Sequence, residues 1–318
     1  MRSIGGELEH EKEAESVFFT DSGRSSLRLF VRSGYGDKKF IIPDYLCGVI
    51  EDVLIEEKVS YSFYHINDDL TVNLDSIEKK EYDVLYMINY FGIYHNLQSF
   101  SCNNKIIIED NVFFNNFNNI NSYSNWFSFN SFRKISDLPD GSMIKTNLPI
   151  NESLIGCDEA DFVSIKKNAK DKKYKYVNDG NGTEGDYLDL FYSAEEKING
   201  QNNIHKMSNT SLSYLVSRSY HAEQKILASR YEYMKKMFPH TSIGASPSCY
   251  SFFPMVIKNR NKIRENLKKH GVYLPVHWPY STVRNYLYDN VISIPLFSNY
   301  TDSEFMFLIE KLKEEIQW

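Results

Sequence analysis

Long apolar runs are missing from this 318-residue sequence. Its most apolar stretches, such as Val84–Ile88 and Ile106–Ile108, are far shorter than the roughly 20 residues that a membrane-spanning helix requires. The start of the chain also lacks the basic segment, the apolar segment and the small-residue cleavage site of a secretory signal. We therefore expect a globular protein that works without a membrane.

Positive charge and paired cysteines are scarce as well. The formal net charge is −6 and no long basic block occurs, which argues against nucleic acid or an anionic membrane surface as the main partner. The cysteines form no CxxC pair and have no histidine at metal-ligand spacing; they are Cys47, Cys102, Cys157 and Cys249. We predict reduced thiols in a cytoplasmic protein and no metal site.

Apolar and aromatic residues, by contrast, are plentiful at 42% and 15% of the chain, which suits one large α/β domain with or without a smaller one. Short apolar segments alternate with segments of helical spacing such as Gly23–Val31 and Val49–Glu57. The predicted strands are Phe40–Pro43, Ser60–His65, Val84–Asn89, Lys105–Ile108, Trp126–Phe129 and Ser142–Thr146. This alternation predicts a largely parallel sheet with helices on both faces.

The second half of the chain has a different pattern. Residues 147–203 are polar and predict helix and loop without strands, and Ser211–Phe238 predicts a long helix. The tail predicts a small α+β unit with strands at Tyr250–Val256, Val272–Val276 and Ile292–Pro295 and a helix at Lys262–His270. Thr301 and Glu304 have the spacing of a capping box that begins a last helix. We place a large domain at residues 1–235 and a small C-terminal domain at residues 236–318.

Four polar stretches fall beside the ends of predicted strands, where a doubly wound sheet collects its ligands. Asp21–Ser26 is a small-residue turn that leads into a helix and suits a phosphate, although an ordinary N-cap explains it equally well. Glu109 and Asp110 end an apolar strand and would pair with a cation or close an Asx turn. The other two stretches are Pro43–Gly48 and Ser128–Lys134. Taken singly, each stretch has a structural explanation.

The order of these stretches along the chain is a more specific signal. The informative segments are Ser22–Leu27, Ile88–Gly92, Glu109–Val112, Phe127–Phe129, Asp140–Ile144, Ile292–Leu296 and Thr301–Glu304. Over nearly its whole length the sequence resembles the DegT/DnrJ/EryC1/StrS family of pyridoxal-phosphate-dependent aminotransferases, as a divergent member. The resemblance implies fold type I: a large α/β domain with a mostly parallel sheet, followed by the small C-terminal α+β domain.

The same resemblance implies pyridoxal 5'-phosphate as the cofactor, with Asp110 on its ring nitrogen. The residues that would hold the cofactor phosphate are Gly23, Arg24, Ser25 and Ser128. Lys206 matches a position that reaches the phosphate of the neighbouring subunit. The enzyme would therefore be a homodimer with a shared active site.

Further positions near the cofactor depart from the family pattern. Cys47 stands where the family has an aromatic residue stacked on the ring, and Tyr45 is the candidate substitute. Phe113 stands where the family has a Gln or His at the phenolic oxygen of the cofactor. His277 and Trp278, in the segment PVHWPY, are candidate substrate contacts, with packing as the alternative role.

The Schiff-base lysine of the family follows its strand serine by five residues, and that position is Arg133 in this chain. A guanidinium stays protonated and is a poor nucleophile. A lysine can condense with an aldehyde when its ammonium is desolvated or lies near another cation. We therefore predict Lys134 as the Schiff-base residue and general acid/base, with Arg133 beside it in the cofactor site. A solvated or phosphate-binding charge is the alternative for Lys134.

By resemblance, the protein would aminate a nucleotide-linked keto sugar, with glutamate as amino donor, during surface-polysaccharide or secondary-metabolite synthesis. Two other functions are compatible with the sequence. One is a dehydratase-like sugar enzyme that uses pyridoxamine phosphate without a permanent lysine linkage. The other is a catalytically silent homologue that binds a ligand or a partner protein, which the residues at positions 24, 47, 113 and 133 favour.

Overall fold

The computed structural model describes residues 15–95, 104–217, 220–241, 243, 245–278 and 281–316. In these ranges the strands are β1 Ser16–Thr20, β2 Phe40–Pro43, β3 Tyr61–Tyr64, β4 Val84–Ile88, β5 Ile106–Asp110, β6 Trp126–Phe129, β7 Ser142–Thr146, β8 Phe252–Val256 and β9 Val291–Pro295. The α-helices are α1 Gly23–Phe30, α2 Gly48–Glu56, α3 Leu74–Glu78, α4 Phe132–Ile135, α5 Ala160–Asp179, α6 Glu184–Asn199, α7 Asn209–Ser217, α8 Tyr220–Met237, α9 Arg260–Lys268, α10 Leu287–Asn290 and α11 Asp302–Glu315. No helix in the described ranges has both the length and the apolarity to cross a bilayer.

The large sheet has the strand order β1-β7-β6-β5-β4-β2-β3. Strands β2 to β6 run parallel to one another, whereas β7 is antiparallel to both of its neighbours. All five residues of β4 are buried, as the continuous apolar run VLYMI requires of a strand covered on both faces. The predicted, largely parallel sheet is confirmed, and it gains one edge strand, β1, that the sequence pattern did not indicate.

The topology brings the predicted polar stretches to one edge of this sheet. Asp110 is the last residue of β5, and β6 leads directly into the single turn of α4. Helix α1 begins at Gly23, immediately after β1. Since parallel strands present their carboxyl ends at the same edge, residues distant in sequence meet there.

The C-terminal part has its own two-stranded antiparallel sheet, β8–β9, and its own core. Leu227, Tyr231 and Met234 of α8 pack in that core with residues of β8, β9 and α11. The predicted domain boundary between residues 235 and 236 falls inside α8. Because the α8 side chains belong to the second core, we propose that the small domain begins at or before Tyr220.

Four further predictions concern the second half of the chain. The polar segment 147–203 contains the antiparallel helices α5 and α6, and the helix over Ser211–Phe238 is found as α7 and α8, between which residues 218 and 219 lie outside the described ranges. The Thr301–Glu304 capping box is present at the start of α11. The strand at Val272–Val276 is wrong: the segment does not pair as a strand, and Pro275 has no N–H to donate to a ladder.

One close approach joins the large sheet to the segment before β8. The Ser248 N–H donates to the Gly92 carbonyl at 2.8 Å, and a Cβ on Gly92 would lie 1.8 Å from the Cys249 carbonyl oxygen. Gly92 has a φ of +79°. Gly34 also has a positive φ, of +103°, but no atom lies within 4 Å of the position that a Cβ would take there.

We expect Gly92→Ala to lower the free energy of unfolding by about 3 kcal/mol or more, because the backbone of Cys249 must move. Gly34→Ala is the matched control, since it carries the positive-φ cost of about 1–2 kcal/mol without a collision. Urea denaturation of the two variants measures both values. Equal losses would show that the two segments are not held in contact.

Candidate active site

A pocket at the carboxyl edge of the large sheet brings together most of the predicted site residues. It has a cavity volume of about 90 Å³ and is open to solvent on one side. The predicted residues that line it are Gly23, Arg24, Cys47, Asp110, Phe113, Arg133, Lys134, His277 and Trp278. The pocket therefore lies between the large sheet and the loop that precedes the last strand of the small domain.

The start of α1 forms one wall of the pocket. The Ser22 hydroxyl caps the helix by accepting from the Ser25 N–H at 3.3 Å. Gly23 approaches the ring of Phe129 so closely that a Cβ there would lie 3.1 Å from a ring carbon. The Arg24 guanidinium donates to the Ile198 carbonyl at 2.8 Å, near the carbonyl end of α6, where a cation is favourable.

Asp110 lies on the floor of the pocket and is 6% exposed. The Tyr86 hydroxyl donates to its Oδ2 at 2.8 Å, and the Val112 N–H donates to its Oδ1 at 3.1 Å. Burial raises the pKa of Asp110 to about 6, against the lowering effect of these two hydrogen bonds and of the Lys134 charge. Each carboxylate oxygen still has a lone pair for a cationic ligand.

Lys134 and Arg133, which are adjacent in α4, have different surroundings. Burial, followed by repulsion from Arg133, lowers the pKa of Lys134 to about 8, so that a fraction of its amine is neutral near pH 7. Arg133 Nη1 instead donates to Glu195 Oε1 of α6 at 2.7 Å. Burial thus favours the neutral form of the Lys134 amine, whereas Arg133 is paired with a carboxylate.

Glu195 binds a second cation with the same oxygen. Lys166 Nζ of α5 donates to Glu195 Oε1 at 2.6 Å. Burial disfavours ionisation of Glu195, but Arg133 and Lys166 outweigh this effect and hold its pKa at about 2. The carboxylate is therefore ionised at every pH at which the protein would work.

Aromatic rings close the side of the pocket that belongs to the small domain. The centroid of Phe113 lies 4.7 Å from that of His277 and 5.4 Å from that of Trp278. Ser293 Oγ shares a hydrogen bond of 2.8 Å with His277 Nδ1. Burial, followed by the charge of Lys134, lowers the pKa of His277 well below its usual value, so the ring is neutral.

Four predicted site residues lie away from the pocket lining. Ser128 pairs with Glu109 across β5 and β6, and its hydroxyl donates to Glu109 Oε2 at 2.9 Å, on the face of the sheet opposite to Asp110. Tyr45 is buried against Trp278, at 5.5 Å between ring centroids, and Cys47 lines the pocket instead. Ser25 is buried behind the helix cap, and Lys206 forms a backbone bridge to Thr20 at the edge of the sheet.

Sequence reasoning missed several residues of the site. Ser22, Phe129 and Ser131 also line the pocket; they belong to the predicted stretches Asp21–Ser26 and Ser128–Lys134, which assigned them no individual role. Glu195 and Ile198 bind the two pocket arginines from α6. Neither has a sequence signal, because both belong to a polar helix with no motif.

The chain resembles solved structures of cofactor-dependent aminotransferases. NtdA from Bacillus subtilis, solved with bound pyridoxamine phosphate, is 15% identical; the match covers 94% of this chain and 73% of that one, with a TM-score of 0.66. A DegT DnrJ EryC1 StrS aminotransferase from Brucella abortus is 13% identical over 94% of this chain and 85% of that one, with a TM-score of 0.58. A histidinol-phosphate aminotransferase from Clostridium acetobutylicum is 16% identical over 95% and 84%, with a TM-score of 0.56.

No protein-family model matches the sequence, and no curated protein matches it. The structural likeness shows the fold: the large domain with a mostly parallel sheet and the small C-terminal domain have the predicted fold type I arrangement. The same fold serves neighbours named for different substrates, such as a sugar aminotransferase from Streptococcus pneumoniae and the histidinol-phosphate aminotransferase. Any reaction must therefore be argued from the residues of the pocket.

The partly buried amine of Lys134 should lower the free energy of unfolding of the protein at neutral pH. Its folded-state pKa lies below its unfolded value, so charging it costs stability below about pH 8, and this cost disappears as the pH rises towards 10.5. We expect Lys134→Met to raise the free energy of unfolding by about 1–3 kcal/mol at pH 7 and by much less at pH 10. Urea denaturation of the cofactor-free protein at both pH values measures the difference.

Lys134→Arg is the control for this experiment, because it keeps a charge at both pH values and should bring no gain. A gain from Lys134→Met that is equal at pH 7 and pH 10 would contradict the assignment of a desolvated amine to position 134.

Proposed function

We propose that this chain is a divergent member of the DegT/DnrJ/EryC1/StrS aminotransferases that uses pyridoxal 5'-phosphate to aminate a keto sugar. The observation that carries the proposal is the pairing of a desolvated lysine, Lys134, with a buried carboxylate, Asp110, in one pocket at the edge of a fold type I sheet. The likeness to solved aminotransferases agrees with it.

The residues of the pocket fit the groups of this cofactor. Asp110 would hold the proton of the ring nitrogen, and Lys134 would hold the aldehyde end. Gly23 and Arg24, with Ser25 behind them, would hold the phosphate at the start of α1, where backbone N–H groups without helical partners favour an anion. When bound, pyridoxal phosphate supplies an electron sink and carries the amino group between substrates.

The chain's own residues would then move one proton and exclude water. With a pKa of about 8, Lys134 has both a neutral and a charged form near pH 7, so it can accept a proton from the α-carbon of the amino donor and return it. Asp110, ionised above its pKa of about 6, keeps the ring nitrogen protonated. Phe113 and Trp278 cover the reacting atoms, and His277 offers a neutral ring to the substrate.

The substrate and assembly are the finer parts of the proposal. We propose a nucleotide-linked keto sugar and glutamate as the amino donor, in surface-polysaccharide or secondary-metabolite synthesis in the cytoplasm. We also propose a homodimer in which Lys206 reaches the cofactor phosphate of the partner subunit. Lys206 does not line the pocket of its own chain, which is compatible with a role across a subunit interface.

Adding pyridoxal phosphate to the purified protein should give an absorbance band of the lysine-linked cofactor, and glutamate should bleach it. Lys134→Ala should abolish the band. Lys170→Ala is the matched control: burial also lowers the pKa of Lys170 to about 8, but Lys170 Nζ donates to the Leu138 carbonyl at 3.1 Å and is not in the pocket lining. Absorbance spectra of the three proteins provide the test.

Each other outcome selects a different function. Binding of pyridoxamine phosphate without a lysine-linked band would favour the dehydratase-like enzyme. Indifference to both forms of the cofactor would favour a silent homologue and contradict the proposal.

A further inference from the structure

The helices α5 and α6 form a hairpin beside the pocket, and several of their polar contacts with the rest of the protein fall on α4 and on the residues just after it. Glu195 binds Arg133, the neighbour of Lys134 in α4. Lys170 Nζ donates to the Leu138 and Ser136 carbonyls, just after α4, at 3.1 and 3.4 Å. The hairpin has a small apolar core of its own, so these contacts place a preformed unit against α4.

The charges of the pocket require a counterion for Arg133. Three cations line the pocket, Arg24, Arg133 and Lys134, whereas Asp110 is the carboxylate among the lining residues. Adjacent residues of a helix point about 100° apart, so both side chains of the Arg133–Lys134 pair remain near the same opening. A bidentate arginine binds a carboxylate better than a lysine does, which would favour Arg133 over Lys134 at Asp110.

We propose that Glu195 is a positioning residue: by holding the Arg133 guanidinium against α6, it leaves Lys134 as the cation available to Asp110 and to a ligand between them. The ion pair of 2.7 Å between Arg133 and Glu195 supplies the restraint. Lys166, 2.6 Å from the same Glu195 oxygen, fixes the carboxylate from the α5 side. The Arg133 side chain is 10% exposed and the Glu195 side chain is 38% exposed, so solvent reaches the pair mainly from the α6 side.

This proposal deepens the proposed function, and it is tested on Lys134 itself without cofactor. The charged or titratable groups that act on Lys134 from the surrounding elements are Arg24 of α1, Cys47 before α2, Asp110 of β5, Arg133 of α4, Glu195 of α6 and His277 of the small domain. The test must therefore separate the charge of Glu195 from the charge of Arg133.

Competitive acetylation with trace acetic anhydride, read by mass spectrometry as a function of pH, gives the titration midpoint of the Lys134 amine. Glu195→Gln removes an anion and should lower that midpoint, which raises the acetylation rate at pH 7 by at least about threefold. Arg133→Met breaks the same ion pair but removes a cation, and should shift the midpoint upward. Both shifts follow from charge alone, so the positioning role is read from the double variant: Glu195→Gln should shift the midpoint much less in the Arg133→Met protein than in the wild type.

Two controls complete the experiment. Glu196→Gln removes an exposed charge from the next position of α6 and should leave the midpoint unchanged. Glu195→Asp keeps the carboxylate and should restore much of the wild-type midpoint. Equal midpoint shifts from Glu195→Gln in the wild type and in the Arg133→Met protein would overturn the proposal, because Glu195 would then act on Lys134 by its charge alone. Failure of both Glu195 variants to fold would overturn it too, because it would assign Glu195 to stability.

The result also separates this proposal from the proposed function. A larger midpoint shift from Glu195→Gln in the wild type than in the Arg133→Met protein, without a cofactor band, would leave Glu195 as a positioning residue in a protein that is not an aminotransferase. A cofactor band with equal shifts in the two backgrounds would support the aminotransferase and contradict the positioning role of Glu195.

Discussion

The ion pair between Arg133 and Glu195 gives two adjacent cations different surroundings. In the single turn of α4, an arginine and a lysine reach the same pocket, and a carboxylate from another helix binds the arginine at 2.7 Å. The lysine remains in a desolvated place with its pKa lowered to about 8. Without that pairing, the Arg133 guanidinium, which binds carboxylates more strongly than an amine does, would compete with Lys134 for Asp110.

The sheet brings these two cations close to Asp110 and to the start of α1. Asp110 and α4 lie at the ends of adjacent parallel strands, and α1 begins beside them after an edge strand that pairs with β7. A carboxylate, an amine and a helix start thus converge at one edge of the sheet. The hairpin α5–α6 and the His277–Trp278 loop then close two sides of the opening with charge and with aromatic rings.

Much of this arrangement can be predicted from the sequence, for physical reasons. Apolar runs of strand length end in Asp110 or lead to Lys134, and they predict both the strand and the edge at which its polar residue lies. Because arginine is a poor nucleophile, the sequence favours Lys134 over Arg133 as the Schiff-base residue. The predicted position of Ser128 depends on register: β6 pairs Phe129, not Ser128, with Asp110, so the hydroxyl faces Glu109. Alternation gives the relative faces within a strand, but not which face meets the pocket.

The remaining features depend on contacts between segments that are far apart in the chain. Glu195 is one of many acidic residues in a polar helix, and only its packing against α4 distinguishes it from Glu196. Strand β1 is an edge strand defined by its partner β7 rather than by an apolar run. The Val272–Val276 segment is apolar enough for a strand, but Pro275 interrupts the hydrogen bonding.

The most direct test of the central claim exchanges the two cations in R133K/K134R, which conserves their summed charge. Wild type and variant are loaded with pyridoxal phosphate, reduced with borohydride and mapped by mass spectrometry. The account predicts a phosphopyridoxyl adduct at position 134 in the wild type and no adduct at position 133 or 134 in the exchanged protein. An adduct at position 133 of the variant, or none at position 134 of the wild type, would contradict it.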